Sequence, residues 1–304
     1  MSPDIYHEII RTVGFAPSQI KPIGLTRFAT TSRPGNRDGW VRIMQDGVVR
    51  FGCWRQGVTG WWRDGQPTHQ RSQRDEQADR AALAHQESQR QRQALINEQI
   101  LAAAQPLTRQ SPVGKYLVNR GLGALSKRPA PLRMSVLPYF DDGKEVGQFP
   151  VMLAEVTTPD GLLVGLHRTY VTTEGNKASV PCPKKLSRTS GLLAGASIKL
   201  HEPTLVGGKL VLGVAEGIET ALACYLASGI STWSCVSAGG IKSFQWPSGL
   251  QSLVVFADND AHGVGQSAAR DLAARAAAAG LDVRVLIPAT VGADWLDVYA
   301  GVAA

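Results

Sequence analysis

The sequence predicts an α/β protein whose C-terminal third is a mainly parallel sheet flanked by helices. Three observations predict it. Short apolar runs, Leu210–Ala215, Thr232–Val236, Leu253–Ala257 and Leu281–Ile287, alternate with helical patterns. Two of these runs end in carboxylates: Glu216 follows the first, and Asp258-Asn259-Asp260 follows the third. Ligand sites of open parallel sheets lie outside the carboxyl ends of the strands, so these acids are expected to meet at one sheet edge.

Taken in order, residues 1–67 read as a small β-rich module. Ile5, Ile9, Ile10 and Val13 fall near helical spacing, and Gly14 and Pro17 close that helix. A turn-rich loop, Arg33 to Gly39, precedes short strands at Trp40–Met44, Val48–Trp54 and Gly60–Trp62, with Asp46-Gly47 as a hairpin signal. Trp40, Trp54, Trp61 and Trp62 are interleaved with Arg37, Arg42, Arg50, Arg55 and Arg63. Two readings stay open: a single-strand stacking surface, or tryptophans filling a core poor in aliphatic residues. Residues 68–105 are polar, with apolar positions thinly spaced, and predict a long linker helix.

Residues 106–205 start a new α+β unit. Its helix, Val113–Leu122, ends at Gly121, and its strands are Leu132–Val136, Phe149–Val156 and Leu162–Tyr170. Residues 206–304 hold the alternating region. Ile218, Ala221, Leu222, Tyr225 and Leu226 place a helix after Glu216. Ser237–Lys242 is read as a Gly-rich tight turn, and a long Ala-rich helix runs to Ala279. Asp294 lies in a further strand-end loop, and Asp297 is a candidate cap of the last helix.

The formal net charge is +7, unevenly spread. Residues 106–205 carry 13 Lys or Arg against 7 Asp or Glu, and residues 206–304 carry 5 against 8. An acidic centre beside a basic surface suits an enzyme of nucleic acid or nucleotides. Crowded carboxylates repel one another, and a divalent cation relieves this; oxygen ligands favour Mg²⁺ or Mn²⁺. The four cysteines form no Cys-x-x-Cys pair, so neither a zinc ribbon nor a disulfide framework is expected. No apolar run is long enough for a membrane span, and the N-terminus does not read as a signal peptide; a cytoplasmic protein is expected.

The Glu216-Gly217 turn, the Asp258-Asn259-Asp260 motif and Gly292-Ala293-Asp294-Trp295-Leu296-Asp297 resemble the Toprim domain. That domain is shared by bacterial replicative primases, topoisomerases, RecR-type repair proteins and OLD-type nucleases. Tyr116–Gly121, Gly165–Tyr170 and Lys177 are similar to the basic subdomain that precedes Toprim in DnaG-type primases of phages, plasmids and integrated elements. The resemblance implies DNA-templated synthesis of RNA primers. It implies Glu216, Asp258 and Asp260 as catalytic residues, these three with Asp294 as ligands of Mg²⁺ or Mn²⁺, and no zinc. Arg120, Arg168, Lys177, Lys184 and Lys185 are the candidates to hold nucleotide and DNA. The implied partners are a single-stranded DNA template, NTPs and a separate replicative helicase. Two alternatives stand beside it: a metal-dependent Toprim nuclease, and a non-catalytic nucleic-acid-binding factor of a replicon or mobile element.

Overall fold

The computed structural model describes residues 3–31, 37–63, 73–126 and 128–301. The turn-rich loop at residues 33–36 and the start of the polar linker, residues 68–72, lie outside them. The chain forms two compact units, Met1–Ala84 and His85–Ala304.

In the first unit a helix, α1 (Pro3–Val13), packs on an antiparallel sheet ordered β1 (Leu25–Phe28), β2 (Gly39–Ile43), β3 (Val49–Cys53) and β4 (Val58–Trp62). Alternation along the strands sorts the side chains. Phe28, Val41, Val49, Phe51 and Cys53 face Ile5, Ile9 and Val13 of α1 and are buried. Gly60 lies opposite Phe51, and a Cβ there would come within 2.6 Å of the Phe51 ring. The same alternation divides the tryptophans. Trp62 packs against the core, whereas Trp61 is 66% and Trp54 54% exposed. Trp40 stacks on Trp54 with centroids 6.0 Å apart.

The second unit opens with the polar helix α2 (Gln73–Ala102), whose N-terminal part belongs to the first. An antiparallel sheet follows, ordered β5 (Gln105–Pro106), β6 (Leu132–Asp141), β7 (Lys144–Thr157), β8 (Leu163–Tyr170) and β9 (Lys184–Leu186), with α3 (Pro112–Asn119) between β5 and β6. The Ser111 hydroxyl caps α3 by accepting from the Gly114 N–H.

The last 100 residues form the alternating sheet. β10 (Thr204–Val206) pairs antiparallel with β11 (Lys209–Ala215). β12 (Thr232–Ser234) and β13 (Ser252–Phe256) flank β11 in parallel, and β14 (Asp282–Leu286) extends the sheet beyond β13. The helices are α4 (Ile218–Ser228), α5 (Ala238–Ser243), α6 (Val264–Ala278) and α7 (Trp295–Tyr299). Ser237–Lys242, expected as a tight turn, is instead the cap and body of helix α5. Ser237 is the N-cap of α5, its hydroxyl accepting from Gly240, and Gly240 admits the Cys235 carbonyl, which would lie 1.9 Å from any Cβ.

One apolar core joins the two sheets of this unit. It runs from Val113, Tyr116, Leu117 and Met152 to Ile218, Leu222 and Phe256 without interruption. The basic and acidic halves are therefore held in fixed register, and this positions the site.

Candidate functional site

Parallel pairing sets the acids. Ala215 lies opposite Phe256, which lies opposite Leu286. Glu216 therefore leaves β11 at the level where β13 leads into Asp258. Asn259 fixes the third contributor. Its N–H donates to the Ala293 carbonyl at 3.1 Å, its carbonyl accepts from Gly292 at 2.6 Å, and its amide donates to the Pro288 carbonyl at 2.8 Å. This stitches the loop bearing Asp294 onto the end of β13. In sequence Asn259 reads only as a spacer between two acids, which conceals this role.

Asp258 sits at the centre. Its Oδ1 is buried and unpartnered. Burial, and then the charges of Glu216, Asp294, Asp260 and Asp297, push its pKa up to about 7. Glu216 is raised as well, by burial and by Asp260, with Lys184 opposing. Asp260 differs. Its Oδ1 accepts from the N–H groups of His262 and Val264, and its Oδ2 from Gly265 at 2.8 Å. These bonds hold its pKa below the usual value, and they cap the start of α6. Asp294 is the N-cap of α7 and forms a capping box with Asp297. Asp260, Asp294 and Asp297 thus have local work as caps, while Asp258 and Glu216 do not.

Among the described residues, no group of three or more His, Cys, Asp or Glu is arranged to hold a metal ion. The donor chemistry nevertheless fits a hard cation. Mg²⁺ is ordinarily held by one or two carboxylates with substrate phosphates and water completing its shell. Asp258, with an orphaned oxygen under strong negative potential, and Glu216 are the residues suited to that.

The basic candidates separate by strand parity. Lys184 points toward the acids and Lys185 away, as neighbours in a strand must. Lys184 Nζ lies 2.7 Å from Glu219 Oε2. Lys185 Nζ instead sits 3.7 Å from the Tyr139 ring centroid and donates to the Phe140 carbonyl. Arg168 is directly opposite Lys185, so it shares that far face and not the face of Lys184. Lys177 and Arg120 stay with Lys184. The Lys177 pKa is lowered by burial, by Lys184 and by Arg120, while Glu219 and Asp294 pull the other way. Three of the five candidate cations therefore converge, and Arg168 and Lys185 do not join them.

Glu219 was missed. It lies three residues after Glu216, on the first turn of α4, and reads in sequence as an ordinary helix-start acid. It is almost fully buried. Its Oε1 accepts from the Tyr116 hydroxyl at 2.7 Å and its Oε2 from Lys184. Despite burial, these partners and a hydrogen bond from its own backbone N–H bring its pKa down to about 2. One carboxylate thus binds α3 and β9 of the basic half to α4 of the acidic half.

His167 lies on the same face as Lys184, one step along β8 from Thr169, which pairs with Lys184. It is buried enough to lower its pKa to about 4, with Glu219 opposing and Lys184 assisting, and its Nδ1 has no partner. The sign follows from linkage. The native state holds this imidazole neutral, so its stability is complete above the unfolded value of 6.5 and is lost as pH falls toward 4. The expected loss is about 3 kcal/mol. In His167→Leu the rise of the urea midpoint from pH 4.5 to 6.5 that this imidazole contributes should be lost, leaving the opposite slope set by the raised Asp258 carboxyl; an unchanged slope would assign acid lability elsewhere.

Residues 211–302 match the Toprim domain family. The C-terminal region is a Toprim domain. Residues 89–199 match a domain of unknown function, DUF7146. No curated protein matches the chain. Solved structures similar to it include the E. coli primase catalytic core, at 14% identity and TM-score 0.45, covering 70% of this chain and 76% of that one. The primase fragment of the bacteriophage T7 primase-helicase gives 12% and 0.38, covering 90% and 94%. A DNA primase domain from Pseudomonas aeruginosa gives 14% and 0.37, covering 62% of this chain. The chain spans 55% of the length of that last structure. Among the described residues, no helix is long and apolar enough to cross a membrane.

Proposed function

We propose that this chain is a primase, synthesising short RNA primers on a single-stranded DNA template from NTPs. One observation carries the reading: a Toprim acidic centre, Asp258 and Glu216, is set within one rigid core against the converged cations Arg120, Lys177 and Lys184. Hydrolysis of DNA needs the acids; polymerisation must also bind and orient a triphosphate, and the cations supply that.

In this reading the primer 3′-hydroxyl attacks the α-phosphate of the incoming NTP and pyrophosphate leaves. Lys177, Arg120 and Lys184 hold phosphate charge and align the triphosphate. Glu216 and Asp258 face the developing charge. A divalent cation bound by these carboxylates would stabilise the attacking and leaving oxygens. Asp260 and Asp294 fix the loops that carry the centre. The partner proposed for unwinding the template is a replicative helicase. The compartment proposed is the cytoplasm.

The test is incorporation of labelled NTPs on several single-stranded templates, with Mg²⁺ or Mn²⁺. Template-dependent oligoribonucleotides are expected. No product under any combination overturns the reading, and loss of DNA in the absence of NTPs would replace it with the nuclease alternative.

A further inference from the structure

The outer face of the N-terminal sheet is assembled from residues that are costly to leave exposed. Arg27 of β1 lies opposite Trp40 of β2. Arg42 of β2 lies opposite Arg50 of β3, which lies opposite Trp61 of β4. Trp40 is opposite Gly52, which is opposite Thr59. Like charges directly across a strand pair destabilise it, so the Arg42–Arg50 pairing costs the fold.

The acids nearby do not relieve it. Asp38 pairs with Arg55 at 3.5 Å and Asp46 with Arg63 at 3.3 Å, and Glu8 pairs with Arg11. Among the described residues, no ion pair engages Arg42 or Arg50. Between them the face is concave: Trp40, Arg50, Thr59 and Trp61 line a pocket of ≈ 460 Å³ with Val48 and Gly60. That lies within the range of small-ligand sites, about 300–1,000 Å³. Gly52 makes room for the Trp40 ring against the sheet: a Cβ there would lie 3.0 Å from the ring and 2.4 Å from the Val58 carbonyl. Trp54 extends the aromatic surface past the strand end, with Arg27 5.0 Å above its ring.

We infer that this face is a binding site for single-stranded nucleic acid, with unpaired bases held against Trp61 and Trp40 and backbone phosphates on Arg42 and Arg50. Flat aromatic surfaces accept any base, and adjacent guanidiniums without carboxylates match a phosphodiester chain. An apolar partner would leave the two guanidiniums uncompensated. Duplex DNA would offer phosphates but no open base faces. This surface lies in the first compact unit and concerns binding alone, so a chain inactive in primer synthesis would still be expected to show it.

The full chain is titrated with a fluorescein-labelled 15-nucleotide oligo(dT), following anisotropy and intrinsic tryptophan emission. Binding with quenching of tryptophan emission is expected. Trp61→Ala should weaken it about tenfold, since stacking contributes about 1–3 kcal/mol per base. Trp61→Phe, which keeps a ring, should restore most of the affinity; this separates stacking from a packing role. Arg42→Ala with Arg50→Ala should lower the slope of log affinity against log salt by about 1.4. Oligo(U) reports on the sugar, and an abasic strand of equal length should lose the Trp61-dependent part. Unchanged affinity and quenching in all three variants, or equal binding of the abasic strand, overturns the proposal.

Discussion

Asp258→Asn is expected to abolish the proposed primer synthesis and, in the same protein, to raise stability. The activity loss should be about a thousandfold, because the charge that holds a cation contributes several kcal/mol to the transition state. The stability gain follows from the crowding of acids. Asp258 has a folded pKa of about 7 against an ordinary 3.8. A carboxyl raised in this way holds its proton more tightly folded than unfolded. Wild-type stability is therefore unaffected below pH 3.8, declines as pH rises toward 7, and carries the whole cost above it. Three pH units set a ceiling of about 4 kcal/mol, reduced to about 2 because part of the side chain faces water. Urea unfolding in EDTA at pH 8 should show the Asn variant more stable, and at pH 3.5 the two should coincide. Equal midpoints at pH 8 would mean that the acids do not press on Asp258.

Glu219→Gln acts in the opposite direction. The carboxylate is buried, its pKa is about 2, and its two oxygens are taken by Tyr116 and Lys184. A depressed acid stabilises above its unfolded value near 4.5, and that stability is lost as pH falls toward 2. Removing one partner of a buried pair costs about 3–5 kcal/mol. The lower end applies here, because Lys184 is partly exposed and recovers some hydration. The Gln amide also turns a donor toward the Lys184 ammonium unless it gives up the Tyr116 hydroxyl. A loss of about 3 kcal/mol at pH 7 in denaturant unfolding, shrinking toward pH 2, is the expected result. Tyr116→Phe should lose about half as much, since a hydrogen bond to a charged group contributes about 1.5–3 kcal/mol. A Gln variant as stable as wild type at pH 7 would show that the two halves are held by apolar packing alone.

Much of this was legible in the sequence. The strand-end acids were, because a buried parallel strand announces itself as a short apolar run and its next polar residue must sit at the sheet edge. The β-module was too, since Asp46-Gly47 and the alternation around Phe51 specify a hairpin. Trp61 and Trp62 adjoin in sequence and take opposite faces, a division that needs the register of β4 on β3. The same holds for Lys184 and Lys185, and for His167 and Arg168. Glu219 was out of reach for another reason: its partners lie 103 and 35 residues away, and nothing local marks a helix-start acid as buried. Ser237–Lys242 reads as a turn because glycine disfavours helix; the Cys235 carbonyl pressed on Gly240 overrides that preference.

The three-way contact of Glu219, Tyr116 and Lys184 also bears on inheritance. A gene fusion that carried only residues 206–304 into another protein would bring a buried anion without its counterion or its hydroxyl. A host able to receive that segment must already supply a cation and a donor at equivalent places. Recombination should therefore move this Toprim region together with the sheet in front of it, as a single cassette beginning upstream of Tyr116.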